Sequence, residues 1–218
     1  PHFIQEQFLQ GNRSGHFSAY TMYIDLSGFT PLTETLMKQG SPGAEQLSVI
    51  LNNIFGPMVH LVYLKNGFIP YFAGDAITAI FPVETSGLAA LDVLFNAQKL
   101  EDHFTDKNRQ KRQFGDFQIG IKIRLSFGQV DWGIVGDKLK SFYFCGPAID
   151  NPAQNNEVVD EQGILFDHFL YERFDEQRPP LEIVKKRFYR LQEKLAPPPT
   201  SIITQDVSAL QRQVLAHF

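Results

Sequence analysis

The chain has 218 residues, 43% of them hydrophobic and 20% charged, with a formal net charge of −4. This describes one well-filled globular domain with at most a small appendage, and it excludes a disordered polymer. The absence of a basic stripe argues against a nucleic-acid partner, and the single cysteine, Cys145, excludes an intrachain disulfide and a cysteine-only metal cluster.

No uninterrupted apolar run reads as long enough to span a bilayer and no signal-like segment precedes the fold, so a cytoplasmic location is the default expectation. The chain begins at Pro1 and stops on the apolar Val214-Leu215-Ala216-His217-Phe218, which suggests an excised piece with more chain beyond it. Phe is unusually common, 20 residues against 7 Tyr and 1 Trp, and points to a Phe-rich core with rings left over for a partner surface.

In chain order, Phe17 to Ile24 reads as a first strand, rich in aromatic and branched residues. It ends on Asp25 and opens into Leu26-Ser27-Gly28-Phe29-Thr30. Thr30-Pro31 has the pattern of a helix start, with Thr30 as cap and Pro31 at the first helical position. Gly40-Ser41-Pro42-Gly43 breaks that helix. A longer one is expected over about Ala44 to Tyr63, with Leu47, Ile50, Leu51, Ile54, Met58 and Leu61 on one face. Asn66-Gly67 is a turn signal. Phe68 to Phe72 and Ala76 to Phe81 then form a candidate hairpin around Gly74-Asp75.

Gly87 to Phe104 is again helical, with a stripe of Leu88, Leu91, Leu94 and Phe95, and the polar Asp106 to Gln113 reads as a loop. Strands are expected over Phe117–Phe127, Val130–Val135, Phe142–Cys145, Gly163–Phe166 and Phe188–Leu191, with a short helix from Pro147 to about Val158. Pro197-Pro198-Pro199 signals a stiff linker. Cys145 reads as buried strand filler, and Trp132 with Phe142-Tyr143-Phe144 as core or inter-domain packing. His16, His60 and His103 read as surface or packing residues. The order predicts an α/β sandwich of the α+β kind: a mostly antiparallel sheet with helices on one face. Residues 1–16 read as an N-terminal extension, 17–193 as the domain, and 194–218 as a linker.

Asp25 and Asp75, fifty residues apart, each end or interrupt a strand-like run. Two carboxylates that a fold brings together are what a pair of Mg²⁺ ions needs to hold a triphosphate. The stretches Tyr23-Ile24-Asp25-Leu26-Ser27-Gly28-Phe29-Thr30, Gly43-Ala44-Glu45-Gln46-Leu47, Ile50-Leu51-Asn52, Asn66-Gly67, Phe72-Ala73-Gly74-Asp75-Ala76 and Gly133 to Asp137 resemble the class III nucleotidyl cyclase catalytic domain. The first catalytic domain of the bicarbonate-responsive soluble adenylyl cyclases is the nearer resemblance, over roughly residues 17 to 192. The resemblance implies a ferredoxin-like class III cyclase fold. It also implies that ATP is converted to cyclic AMP and pyrophosphate with two Mg²⁺ or Mn²⁺ ions, held by Asp25, Asp75 and the Leu26 carbonyl. Ser27, Gly28, Phe29 and Thr30 would offer backbone N–H groups to the β- and γ-phosphates at a helix start. Lys122 falls where relatives place a phosphate-contacting Lys, and Arg124, two residues on, should share its strand face.

Sites of this family are shared between two catalytic domains, and the resemblance also shows what is missing. The base-reading Lys is replaced by Tyr71. The transition-state Asn and Arg are replaced by Asp150 and Gln154, and Gln154 lacks the permanent charge of an Arg. Asn151 is one position off, turned by about 100° on a helix. A symmetric homodimer would lack a complete site, so the expected partner is a complementary second cyclase domain, in the same full-length polypeptide. In soluble adenylyl cyclases the degenerate site senses bicarbonate through that Lys and an Arg on the next helix. With Tyr71 present and no matching Arg between Asp150 and Val159, activation by bicarbonate is not expected. The alternative reading is a non-catalytic regulatory module that keeps the cyclase fold. A two-metal phosphohydrolase is a third class, without a His-rich metal set to support it.

Overall fold

The computed structural model describes residues 1–110, 119–158, 161–174, 178–185 and 187–197. In chain order they form α1 (His2–Leu9), β1 (Ser14–Ser27), α2 (Phe29–Met37), α3 (Ser41–Leu64), β2 (Phe72–Ala73), β3 (Ala76–Pro82), α4 (Val83–Ser86), α5 (Ala90–Gln110), β4 (Gly120–Val135), β5 (Ser141–Cys145), α6 (Pro147–Val158), β6 (Gly163–Asp167), α7 (His168–Tyr171), β7 (Leu181–Ile183) and β8 (Phe188–Leu191). One sheet runs β2-β3-β1-β4-β6-β8-β7, with β5 pairing β4 off that path. Every pairing is antiparallel except β4 with β6.

Strand alternation divides the apolar residues between the two faces of the sheet. Tyr20, Met22, Ile24 and Leu26 of β1 join Ile121, Ile123 and Leu125 of β4 in the main core, under α2, α3 and α5. Ala19 belongs to a second cluster with Ile80, Val130, Trp132, Phe144, Ala148 and Ile149. The expectation of helices on one face is therefore corrected: α6 covers the other face. It lies close over Gly128, where a Cβ would already touch Ala148 at 3.6 Å, and the buried Thr21 hydroxyl donates to the Ala148 carbonyl.

The first sixteen residues are part of this packing. Ile4 of α1 is buried in the second cluster, and Phe3 meets Trp132 edge-on at 5.4 Å and stacks on Phe68 at 5.4 Å. β1 itself starts at Ser14. At the other end, Leu195 packs against the main core and exchanges two hydrogen bonds with the Gln98 amide of α5. The Pro198-Pro199 part of the linker signal and everything after it lie outside the described residues.

Several expected elements change. Gly28, not Thr30, caps α2 in a left-handed conformation with φ 77°, which puts Pro31 at the third helical position. α3 extends to Ser41–Leu64 because Pro42 falls in its first turn, where a missing N–H costs nothing. At 24 residues α3 is long and apolar enough, by length and composition alone, to cross a membrane, although Glu45, Asn52, Asn53 and His60 interrupt its apolar run and one face packs in the main core. The first arm of the expected hairpin reduces to an isolated bridge between Phe68 and Ile80 and the two-residue β2. Pro70 has no N–H to donate to a ladder there.

α5 buries Ala90, Val93, Leu94, Ala97, Leu100 and Phe104. Leu91 is exposed, so the helix is rotated from the expected stripe. It continues to Gln110, so Asp106–Gln110 is helical rather than loop. Residues 111–113 of the expected loop, and Phe117, lie outside the described residues. The two expected strands around Gly128-Gln129 are one 16-residue strand, β4, held continuous by its ladder to β1. In β5 the alternation turns Phe144 inward and Cys145 outward, so Cys145 is exposed rather than core filler. Trp132 and Phe144 are buried, while Tyr143 is exposed. His16, His60 and His103 lie on the surface. α1, α4, α7 and β7 lie outside the expected elements.

At the end of β6 the buried Asp167 accepts from the Ser126 hydroxyl at 2.6 Å and from the Leu170 backbone N–H at 3.0 Å, capping α7. Burial outweighs these hydrogen bonds and raises the Asp167 carboxyl above its ordinary value. Above the ordinary Asp range the unfolded chain ionises first while the folded carboxyl keeps its proton. The folded state then binds more protons, so this group's contribution to stability falls as pH rises from the ordinary value through the raised one. Asp167→Asn keeps an acceptor for Leu170 and removes the titration. Thermal unfolding across the weakly acidic range should show a flatter pH dependence in that variant; parallel curves would contradict the assignment.

Candidate active site

The end of β1 and the start of β4 build the site. Register sets Ala76, Asp25, Lys122 and Gly163 side by side across β3, β1, β4 and β6. Asp25 is the first β1 residue after the buried Ile24, and alternation turns it away from the main core. Lys122 is its direct cross-strand partner, with Nζ 3.9 Å from Asp25 Oδ2. That separation is long for a hydrogen bond, so the pair acts through charge. The Lys122 and Asp25 side chains are mostly buried, at 14% and 19% exposed.

Asp75 occupies the two-residue turn between β2 and β3, immediately before Ala76. Gly74 precedes it with φ 65°, a conformation that favours glycine. The Asp75 carboxyl is raised above its ordinary value, first by burial and also by the negative charge of Asp25. A hydrogen bond from its own backbone N–H and the charge of Lys122 oppose this. The two acids and the lysine therefore share one field at one end of the sheet.

The β1–α2 turn adjoins this row. Gly28 has no side chain with which to cap α2, which leaves the first-turn N–H groups without a side-chain acceptor. The side chains of Phe29 and Leu26 are buried in the main core, so each can offer only its backbone to a ligand. Thr30 is exposed.

Arg124 shares the Lys122 face as its register requires, but its guanidinium points elsewhere. It is 2% exposed and donates to the carbonyls of Gly163 at 2.9 Å, Ile123 at 3.2 Å and Glu161. One further polar side chain reaches the turn: Gln162 donates from Nε2 to Ser27 Oγ at 3.3 Å. No local pattern marks Gln162, because the contact joins positions 135 apart in the chain. Tyr71 is 44% exposed beside β2. Asp150 and Gln154 are exposed on α6.

The donor set fits a divalent cation that keeps most of its coordination for water and substrate. Among the described residues no group of three or more His, Cys, Asp and Glu gathers, so they form no all-protein cage. Two carboxylates in one field, with the Asp75 carboxyl raised by burial and by the charge of Asp25, suit Mg²⁺ or Mn²⁺ completed by phosphate oxygens.

No family model matches the chain. Adenylate cyclase type 10 of Mus musculus is 33% identical over 196 residues, which is 84% of this chain and 12% of that protein. The adenylyl cyclase CyaB from P. aeruginosa superposes with a TM-score of 0.63 at 18% identity, covering 84% of this chain and 99% of its own. The guanylyl cyclase Cya2 superposes with a TM-score of 0.58 at 20% identity, covering 81% and 91%. The chain thus spans only a small part of the length of the curated relatives it matches. It is homologous to a segment of adenylate cyclase type 10, and its fold is that of the class III nucleotidyl cyclase catalytic domains.

Proposed function

We propose that this chain is the metal-binding half of an adenylyl cyclase, which forms 3′,5′-cyclic AMP and pyrophosphate from ATP at an interface with a complementary catalytic domain. The observation that carries this reading is the convergence of Asp25, Asp75 and Lys122 at one sheet end, beside an uncapped helix start. When bound, two Mg²⁺ or Mn²⁺ ions would activate the ribose 3′-hydroxyl and neutralise the departing pyrophosphate. Asp25 and Asp75, with the Leu26 carbonyl, would hold them.

The N–H groups of Ser27, Gly28, Phe29 and Thr30 bind the β- and γ-phosphates through the main chain and the helix dipole. Lys122 serves two ends: it screens the repulsion between the acids and supplies a cation to the phosphates. Tyr71, Asp150 and Gln154 provide neither base reading nor a transition-state cation, so those functions come from the partner domain. The exposed apolar surface of Val49, Tyr63 and Leu64 on α3 and of Tyr71 and Phe72 at β2 supports a partner seated beside the site. The choice of ATP over GTP rests on the homology, because base-reading residues belong to the partner. The preserved pair of acids favours this reading over a purely regulatory module.

Cyclic nucleotide formation from ATP and from GTP, measured with Mn²⁺ in the full-length polypeptide and in the isolated chain, tests it. Cyclic AMP from the former alone is expected, with no rise on adding bicarbonate at fixed pH. A folded, metal-loaded full-length protein without turnover moves the assignment to the regulatory module.

A further inference from the structure

The contact between Gln162 and Ser27 is prepared from three sides. Gly120 is the cross-strand partner of Ser27, and a Cβ added at 120 would come within 2.4 Å of both Gln162 Nε2 and Ser27 Oγ. The missing side chain is the space that the Gln162 amide fills. Gln162 precedes β6 without belonging to any element, yet the residues on both sides of it are held. The buried Arg124 donates to the carbonyls of Glu161 and Gly163, and the Glu161 carboxylate pairs with Arg190 of β8. A planar guanidinium that bridges two carbonyls flanking one residue fixes the direction of the side chain between them. That side chain ends on the last residue of β1, next to Gly28, where α2 begins.

We propose that Gln162, held by Arg124 and admitted by Gly120, is a positioning residue for the phosphate-binding turn: it orients Ser27 and with it the first N–H groups of α2. Arg124 then acts on the nucleotide through Gln162 and does not touch phosphate. This inference rests on the cyclase reading above and deepens it, because it ties the triphosphate site to β6 and β8, the next strands of the sheet beyond β4.

The test has two arms. In the full-length polypeptide, Gln162→Ala should raise KM for Mg·ATP about 3- to 10-fold with kcat within about twofold, since preorganisation of the turn is lost while the metal-holding carboxylates stay. Gly120→Ala, whose Cβ crowds both the amide and Ser27 Oγ and so breaks their contact, should do the same, and the double variant should be no worse than the worse single one. A lowered melting temperature with unchanged KM, or single effects that multiply in the double variant, would overturn the proposal.

The second arm needs no activity. Backbone ¹⁵N order parameters at Ser27, Gly28 and Phe29 in the nucleotide-free protein should fall from about 0.85 toward about 0.6 in each variant, and unchanged order parameters overturn the positioning role. A wild-type protein without turnover defeats the cyclase reading alone, and the order parameters still decide the bridge.

Discussion

Asp25→Asn and Asp75→Asn are each expected to lower cyclic nucleotide formation by roughly a hundredfold or more, about 3 kcal/mol of transition-state stabilisation, while the protein stays as stable as before. The first half of this expectation follows from the donor set. Among the described residues two carboxylates converge on the sheet end, so either amide removes half of the anionic coordination and leaves neutral oxygen in its place. The second half follows from the electrostatics. The Asp75 carboxyl is raised by burial and by the charge of Asp25, so ionising both acids costs the folded state free energy. Asp75→Asn relieves that cost, and its melting temperature should hold or rise, whereas Asp25→Asn also removes the charge partner of Lys122 and should leave stability within about 1 kcal/mol. Turnover assays with Mg²⁺ and with Mn²⁺, paired with thermal scans, check both halves. Retained turnover in either variant would rule out the two-carboxylate site, and a large loss of stability would mean that the acids act mainly in folding.

Phe81→Ala should be the most damaging of the core truncations, costing about 3–5 kcal/mol, which for a chain of this size is a fall in melting temperature of roughly 6–20 °C. Phe81 is 1% exposed and lies across from Tyr20 in the β1–β3 ladder. Its ring packs on Gly67, where an added Cβ would come within 2.5 Å of it, so the backbone closes over the ring and cannot easily collapse into the void. β3 begins one residue after Asp75, so the same truncation loosens the strand that carries the turn. Leu139→Ala, at 91% exposed, should stay within about 0.5 kcal/mol. Denaturant midpoints of the two variants, compared with wild type, measure the contrast, and equal midpoints would mean that the ring contributes little.

The acidic pair was legible in the sequence because both positions are written in local patterns. Asp25 follows an apolar run of period two, and Asp75 follows a glycine at a turn. The same local logic found α6, β5, β6 and β8 with small changes at their ends. It failed where the deciding contact is distant. Residues 1–16 read only as an N-terminal extension, because nothing near them in the chain shows that Phe3 will meet Phe68 and Trp132. Phe117–Phe127 and Val130–Val135 read as two strands because a glycine is weak in an isolated strand, whereas the β1 ladder carries β4 straight through Gly128-Gln129. The expected hairpin arm failed for the opposite reason: Pro70 is a local veto that the apolar pattern outweighed in the reading.

Arg124 marks the boundary most clearly. Spacing alone placed it on the face of Lys122, and the register agrees. Spacing alone could not say where a long side chain ends. Alternation, turn chemistry and helix periodicity depend on neighbours within a few residues, so the sequence by itself determined β1, β3, β5, β6 and β8, the helices α2, α3, α5 and α6, and the placement of Asp25, Asp75 and Lys122 along the chain of elements. The direction of the Arg124 guanidinium and the meeting of Ser27, Gly120 and Gln162 depend on β6 lying parallel to β4 across a connection through α6. Only the tertiary structure decided them, because it alone fixes which distant backbone carbonyls come within reach of a buried cation.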